Sequence, residues 1–161
     1  MTNREFCLDR RQHERKAFVN VLKAVPQNRL DYRPHPRSRT AAELAWLIAH
    51  ADSALIPLIE KGSVEWKEAP APAKAEEIVA AYERNAKAVD DRIARTSDET
   101  WEQKGQFFFG TSRPWEDTIQ NFVWGFLYDA IHHRGQLTTY LRPMGSKVPS
   151  IYGPSADDTG M

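Results

Sequence analysis

An aspartate and a histidine one helical turn apart are the residues of this sequence whose types and spacing could do chemistry. Asp129 and His133 lie four positions apart in a segment that reads as helix, so their side chains share one face. His50, in an earlier predicted helix from Leu44 to Ile59, supplies a third candidate ligand. Two imidazoles and one carboxylate suit a divalent metal, and three protein ligands leave a position for water or substrate. The residue types therefore predict an open metal site.

The position of Asp129 in its helix is unusual. It interrupts an apolar run and continues the helical stripe that contains Phe122 and Phe126, so we expect its carboxylate to face the core. A carboxylate in that position is costly unless it is paired or bound to a metal. The alternative is that Asp129 pairs with His133, or with an arginine such as Arg134, and that no metal binds.

Three neighbours in the same helix are candidates to assist the metal ligands. His132 points about 100° away from His133, so only His133 shares the face of Asp129, and a structural role for His132 is the alternative. Gln136 lies near that face and could orient a ligand or hydrogen-bond a bound molecule. Arg134 could pair with an acidic residue or point at an anionic substrate.

Helical periodicity predicts four helices that must position these residues. They run from about Asp9 to Val25, from a start at Thr40 through Leu44 to Ile59, from about Ala73 to Thr96, and from Pro114 to about Leu141. The second helix has a capping box at its start, and Pro57 should kink it or end it early.

Four amphipathic helices of this length predict an all-α fold, a four-helix bundle with a long crossover connection. The crossover is the linker from Gly62 to Pro72, and residues 107–110 are expected to form a short strand or a flap. Residues 1–161 are predicted to form a single domain, with an irregular tail from about residue 143.

Composition limits the class of protein. Lysine plus arginine and aspartate plus glutamate both total 22, so the formal net charge is zero, which argues against nucleic-acid binding. The charged N-terminal segment is not expected to be a signal peptide, and the run from Phe122 to Tyr128 is too short to span a bilayer. With the single cysteine, Cys7, no intramolecular disulfide can form. We expect a soluble cytoplasmic protein with no membrane partner.

The sequence resembles the DinB/YfiT-like superfamily of metal-dependent proteins. The resemblance depends on the run Asp129-Ala-Ile-His-His-Arg-Gly-Gln-Leu137, on the segment Tyr140 to Gly145 that follows, and on the upstream His50. It extends to Asp31-Tyr-Arg-Pro34 before the second predicted helix and to Val148 to Gly153 in the tail. It therefore covers most of the chain.

The resemblance implies a four-helix bundle, frequently a homodimer, that holds a divalent metal through His50, position 129 and His133. Asp129 stands where the family commonly has a histidine, and this harder oxygen ligand makes iron or manganese competitive with nickel and zinc. The implied activity is a metal-dependent thiol transferase or related enzyme that acts on small molecules with a low-molecular-weight thiol. The alternatives are a non-catalytic dimeric metal-binding or stress-response bundle and a metal-dependent hydrolase.

Overall fold

The computed structural model describes residues 1–160 and is mostly helical, with one small sheet. In chain order its elements are α1 (Asn3–Lys23), α2 (Ala41–Ala51), α3 (Leu55–Lys61), β1 (Ser63–Glu65), α4 (Ala75–Arg95), α5 (Asp98–Glu102), β2 (Lys104–Phe108), β3 (Trp115–Thr118) and α6 (Ile119–Leu141). Helix α1 packs against α4 and α6, and α2 packs against the same two helices. The prediction of a mostly helical fold is confirmed. The predicted four-helix bundle is incomplete as a description, because the structure also contains a small sheet.

Helix α1 begins at Asn3, earlier than the predicted Asp9. The Thr2 hydroxyl accepts a hydrogen bond from the Glu5 amide, and the Glu5 carboxylate accepts one from the Thr2 amide. This capping box satisfies two amides that the first helical turn would otherwise leave unpaired. Apolar periodicity missed it because the apolar residues of the first two turns, Phe6 to Leu8, are consecutive and show no helical spacing.

The second predicted helix is divided in two. Its capping box at Thr40 and Glu43 is confirmed, but the α-helix ends at Ala51 and a 3₁₀ turn leads into α3. Pro57 lies in the first turn of α3, and its ring cannot fit against the carbonyl four residues earlier, at Ser53 within the 3₁₀ turn. The break predicted from Pro57 is therefore confirmed.

The combined segment Ala41–Lys61 has the length and hydropathy of a membrane span, a test that the core helix of a soluble protein also passes. Half of its most apolar window is buried inside the molecule, and Asp52 within it pairs with Arg11 of α1. These contacts make the segment part of the interior that it shares with α1.

The predicted start of the last helix at Pro114 is wrong. Residues Trp115–Thr118 form β3, which pairs antiparallel with β2, while β1 pairs parallel with β2 on its other side. Helix α6 begins only at Ile119, where the Thr118 hydroxyl accepts a hydrogen bond from the Asn121 amide. The strand expected near Phe107 is confirmed as β2, but its two partner strands were not predicted.

The apolar interior consists of two clusters of buried side chains. One lies around Phe18, Leu44 and Leu137, and the other around Leu58, Phe107 and Phe122. Along α1, a layer of buried charge at Arg11, described below, lies between Cys7 of the second cluster and Phe18 of the first.

The residues after α6 have no regular secondary structure but make specific contacts. Arg142 forms an ion pair with Asp157 at 2.9 Å, and the Ser150 amide donates to the Asp158 carboxylate at 2.8 Å. The Tyr152 hydroxyl donates to Glu14 of α1 at 2.9 Å. The contact of Tyr152 thus fastens the tail to α1.

Candidate metal and substrate site

Asp129 lies on the exposed side of α6, with 59% of its side chain accessible to solvent. The expectation that its carboxylate faces the core is therefore wrong. The buried side of α6 contains Leu127, Arg134 and Leu137, and two residues beyond Leu127 the helix has turned by about 200°. Phe126, which suggested the core stripe, is only half-buried and packs against the sheet residue Phe107.

Asp129 and His133 do form a pair on this exposed side of the helix. The Asp129 Oδ2 atom lies 3.4 Å from His133 Nε2, and the opposite ring nitrogen, Nδ1, lies 2.7 Å from the amide oxygen of Gln136. The hydrogen bond that His133 donates to the Asp129 carboxylate raises the pKa of His133, with help from Gln136, and the same bond lowers the pKa of Asp129. The predicted one-turn pairing is confirmed, and so is the position of Gln136 beside it.

The orientation of Gln136 matters for the chemistry of the pair. Because its amide oxygen faces Nδ1, Gln136 accepts a hydrogen bond from the N–H at that nitrogen. In the neutral ring the lone pair of Nε2 then points toward the Asp129 carboxylate, so that two acceptors face each other. A proton or a cation between them removes this conflict.

His50 occupies an aromatic niche on α2. Its ring stacks on Trp46 at a centroid distance of 5.1 Å and an angle of 12°, and the Trp66 ring lies 5.5 Å away. The polar contacts of the imidazole are long, at 3.4 Å to the Lys67 carbonyl oxygen and 3.5 Å to the Ser53 hydroxyl. His50 is therefore positioned mainly by stacking.

Two surface clefts adjoin these residues, and Arg39 lines both. The cleft around His50, of about 460 Å³, also contains the Trp46 and Trp66 rings. The cleft around His133, of about 350 Å³, also contains Gln136. The Tyr140 hydroxyl donates a hydrogen bond to the Arg39 carbonyl oxygen at 3.1 Å, which ties this segment to α6.

The structure does not gather all three predicted ligands. Within residues 1–160, no group of three or more histidine, cysteine, aspartate or glutamate side chains lies close enough together to hold a metal ion. Asp129 and His133 are together, and His50 is apart from them in the neighbouring cleft. His132 is exposed, and its ring centroid is 5.2 Å from that of His133.

Arg134 belongs to the interior instead of the site. Its side chain is 2% exposed, forms an ion pair with Glu14 at 2.6 Å and donates to the Tyr152 hydroxyl at 2.6 Å. The guanidinium also lies 4.5 Å from the centre of the Phe18 ring. The alternative that Arg134 pairs with an acidic residue is confirmed.

Imidazole and carboxylate groups are ligands that divalent ions accept, and two of the three predicted ligands also have suitable geometry. In a tetrahedral site with bonds of about 2.1 Å, neighbouring ligand atoms are about 3.4 Å apart. Asp129 Oδ2 and His133 Nε2 are 3.4 Å apart, so these two atoms match one edge of such a site. His50 would have to leave two long hydrogen bonds and a stacked ring to join them.

Two residues of the site were not predicted as such. Trp66 comes from the crossover segment after β1, and nothing in the sequence indicates that this segment folds back onto α2. Arg39 lies before the capping box, in a segment where two prolines obscure any periodicity. Trp46 is different, because its spacing of four from His50 already predicts a shared helix face.

Comparison with known proteins bears on this arrangement. The family model described as the DinB family matches residues 1–160. The chain belongs to the DinB family. No curated relative is found by sequence.

Solved structures of DinB-like proteins share the fold. One from Bacillus cereus ATCC 10987 is 24% identical, with a TM-score of 0.76 over 92% of this chain and 97% of that one. Another, from Bacillus subtilis, is 15% identical, with a TM-score of 0.70 over 90% and 96% of the two chains.

A more distant enzyme has a related fold. A mycothiol-dependent maleylpyruvate isomerase is 13% identical, with a TM-score of 0.56 over 92% of this DinB chain and 63% of the isomerase. At this identity the likeness concerns the fold alone.

Proposed function

We propose that this DinB-family chain is a metal-dependent thiol transferase or related enzyme that acts on small molecules. In this proposal His50, Asp129 and His133 hold one divalent ion of nickel, zinc, iron or manganese, within a four-helix bundle whose long crossover supplies Trp66. The observation that carries the proposal is the Asp129–His133 pair, whose facing acceptor atoms stand at the separation of two metal ligands. A bound divalent ion would lower the pKa of a thiol and present it as a thiolate.

Gln136 defines the role of His133 in this proposal. By accepting a hydrogen bond from Nδ1–H, the Gln136 oxygen favours the tautomer that leaves Nε2 free for a ligand. When no cation is present, the same Nε2 holds a proton against Asp129, which accords with the raised pKa of His133. Metal binding and proton binding therefore compete for one nitrogen atom.

The two clefts suggest how a small molecule would be held. Arg39 borders both, and its guanidinium suits a carboxylate or another anionic group of a thiol or acceptor substrate. Trp46 and Trp66 offer apolar surfaces next to His50, which would exclude water from a bound molecule. To join the Asp129–His133 pair, His50 would have to leave this niche.

The fold relationship supports the choice of thiol chemistry. The isomerase that shares this fold is named for its dependence on mycothiol. The function proposed here uses the same kind of co-substrate, with the electrophile left open.

The experiment is calorimetric titration of the metal-loaded protein with mycothiol, bacillithiol and glutathione, beside a chromatographic search for conjugates. We expect heat of binding with at least one thiol, reduced for Arg39→Ala but retained for Arg142→Ala, a matched arginine in the tail. Absence of heat and of conjugates with every thiol would refute the thiol proposal. Measured metal content then decides separately whether the metal site exists.

A further inference from the structure

We propose that a single water molecule is bound between the four long helices, in a small internal cavity that is lined by Arg11, Asp52 and Tyr82. This water is a structural part of the buried charged layer and completes its hydrogen bonding. The site lies in the interior of the molecule, so it depends neither on a metal nor on the function proposed above.

The cavity lies between α1, α2, α4 and α6 at the level of Arg11. Its polar wall consists of Arg11, Asp52, Tyr82 and Asp90, and apolar side chains from all four helices form the rest. It offers about 10 Å³ to the centre of a water molecule. This space suffices for one water and is too small for a larger ligand.

The ion pairs of the layer use only part of the hydrogen-bonding capacity of Arg11. A guanidinium carries five N–H groups. The Arg11 Nε atom donates to Asp90 at 2.8 Å and Nη2 donates to Asp52 at 2.6 Å, while the third contact, from Nη1 to Asp52, is long at 3.5 Å. Two N–H groups, one on each terminal nitrogen, therefore have no partner among residues 1–160. Because a buried donor without a partner is costly, a water beside Arg11 is favoured.

The Tyr82 hydroxyl is a second buried group without a protein partner. Tyr82 is 6% exposed, its ring lies 5.3 Å from that of Phe18, and within residues 1–160 no group is hydrogen-bonded to its hydroxyl. Burial raises the pKa of Tyr82, and the nearby charge of Asp52 raises it further, so the hydroxyl keeps its proton. A water in the cavity can accept a hydrogen bond from this hydroxyl and donate one to the Asp52 carboxylate.

Charge balance favours water over an ion in this cavity. Two arginines, Arg11 and Arg15, face two aspartates, Asp52 and Asp90, so the charges of the layer cancel. An added ion would place an uncompensated charge in the interior, which is far more costly than a neutral ligand. A water supplies two donors and two acceptors, so it can satisfy groups from several helices at once.

The cavity lies behind the two segments that carry the predicted metal ligands. Ile48 and Asp52, two residues before and after His50, line it from one side, and Ala130, next to Asp129, lines it from α6. The bound water therefore belongs to the framework that holds these two segments at their distance from each other.

A high-resolution crystal structure of the full chain tests the site directly. We expect one peak of water density in the cavity, about 2.7–3.2 Å from a nitrogen of Arg11 and from the side-chain oxygen of Tyr82 or Asp52. A cavity without density between ordered side chains would overturn the proposal. A peak that has no polar neighbour at these distances would overturn it as well.

Magnetic relaxation dispersion of the solvent nuclei counts long-lived internal waters in solution. Ala86→Val fills the cavity from α4, so this variant should lose one long-lived water relative to the wild type. Ala80→Val, at an exposed position of the same helix, is the matched control and should keep the wild-type number. The same number of waters in Ala86→Val and in the wild type would contradict the site.

Tyr82→Phe decides the proposal even if Ala86→Val does not fold. If the hydroxyl binds the water, its removal breaks that hydrogen bond and should lower the urea midpoint of unfolding. If the hydroxyl has no partner, its removal should leave the midpoint unchanged or raise it, because a buried unpaired hydroxyl is unfavourable. The latter result would overturn the proposal. Tyr128→Phe, which changes an exposed tyrosine, is the matched control and should keep the wild-type midpoint.

Discussion

The chain contains two groups of charged side chains that differ in almost every physical respect. In the interior, the Arg11 guanidinium binds Asp52 at 2.6 Å and Asp90 at 2.8 Å, with Arg15 adding a second partner for Asp90. The Arg11 side chain is only 5% exposed. On the surface, the Asp129–His133 pair is separated by 3.4 Å, and 59% of the Asp129 side chain is accessible.

The difference separates a structural network from a site. In the buried layer each charge is matched by partners from α1, α4 and the 3₁₀ turn, so it fixes these elements and leaves no space for a ligand larger than water. The surface pair adds little to stability, and its two facing acceptors remain available to a proton or a cation. The fully paired buried charges therefore belong to the structural framework, whereas the incompletely paired Asp129 and His133 can bind a proton or a cation.

Removal of Arg11 should have the largest effect on stability. Arg11→Ala leaves two buried carboxylates without their shared cation, which should lower the free energy of unfolding by about 3–5 kcal/mol. Arg142→Ala, which removes an exposed ion pair with Asp157, should cost less than about 1 kcal/mol. Urea unfolding at neutral pH measures both, and equal small losses would show that the buried layer does not hold the helices together.

Arg134 tests whether a residue of the sequence motif belongs to the scaffold. Arg134→Lys keeps the charge but loses the forked contact to Glu14 and Tyr152, so we expect a loss of about 1–3 kcal/mol. Gln136→Ala, two positions along the helix, should be nearly neutral because its side chain is exposed. The same urea experiment decides, and a neutral Arg134→Lys variant would contradict the assignment.

The surface pair should give a small, pH-dependent effect. Because the pKa of His133 is raised, its contribution is fully present below the unfolded value and is lost as pH rises through the folded value. Because the pKa of Asp129 is lowered, its contribution is lost as pH falls through the folded value. The pair therefore stabilises the protein mainly at mildly acidic pH, between the two folded values.

Asp129→Asn should accordingly be less stable than the wild type by about 0.5 kcal/mol near pH 5.5, with no difference near pH 8.5. Unfolding curves at the two pH values measure this change. A difference that grows toward alkaline pH would have the wrong sign for this pair.

The single thiol of the protein, which lies beside the buried charged layer, should not react with alkylating reagents in the folded state. Cys7 is fully buried, and burial raises the pKa of its thiol to about 12. We expect no labelling of the native protein by a maleimide at pH about 8 and complete labelling in urea. Rapid labelling of the native thiol would show that this region opens to solvent in the folded protein.

The sequence predicts the helices well where capping and periodicity act together. The capping box at Thr40 and the break near Pro57 depend on local geometry, and both are confirmed. The sheet was only partly predicted, because β1 pairs with β2 across a separation of about forty residues, which no local pattern encodes.

The sequence also predicts only part of the candidate site. The four-residue spacing places Asp129 beside His133, which the structure confirms. The burial of Asp129 was predicted wrongly because a short apolar stripe does not show on which side a helix meets its neighbours. The position of His50 depends on Trp66 of the crossover segment, so its distance from the pair could not be inferred from helix spacing.

Metal content of protein purified without a histidine tag tests the proposed site most directly. Elemental analysis should find about one divalent ion per chain in the wild type and little in His133→Ala and His50→Ala. His13→Ala, at an exposed position of α1 outside the site, should keep the wild-type content. Equal metal content in all four proteins would contradict the account.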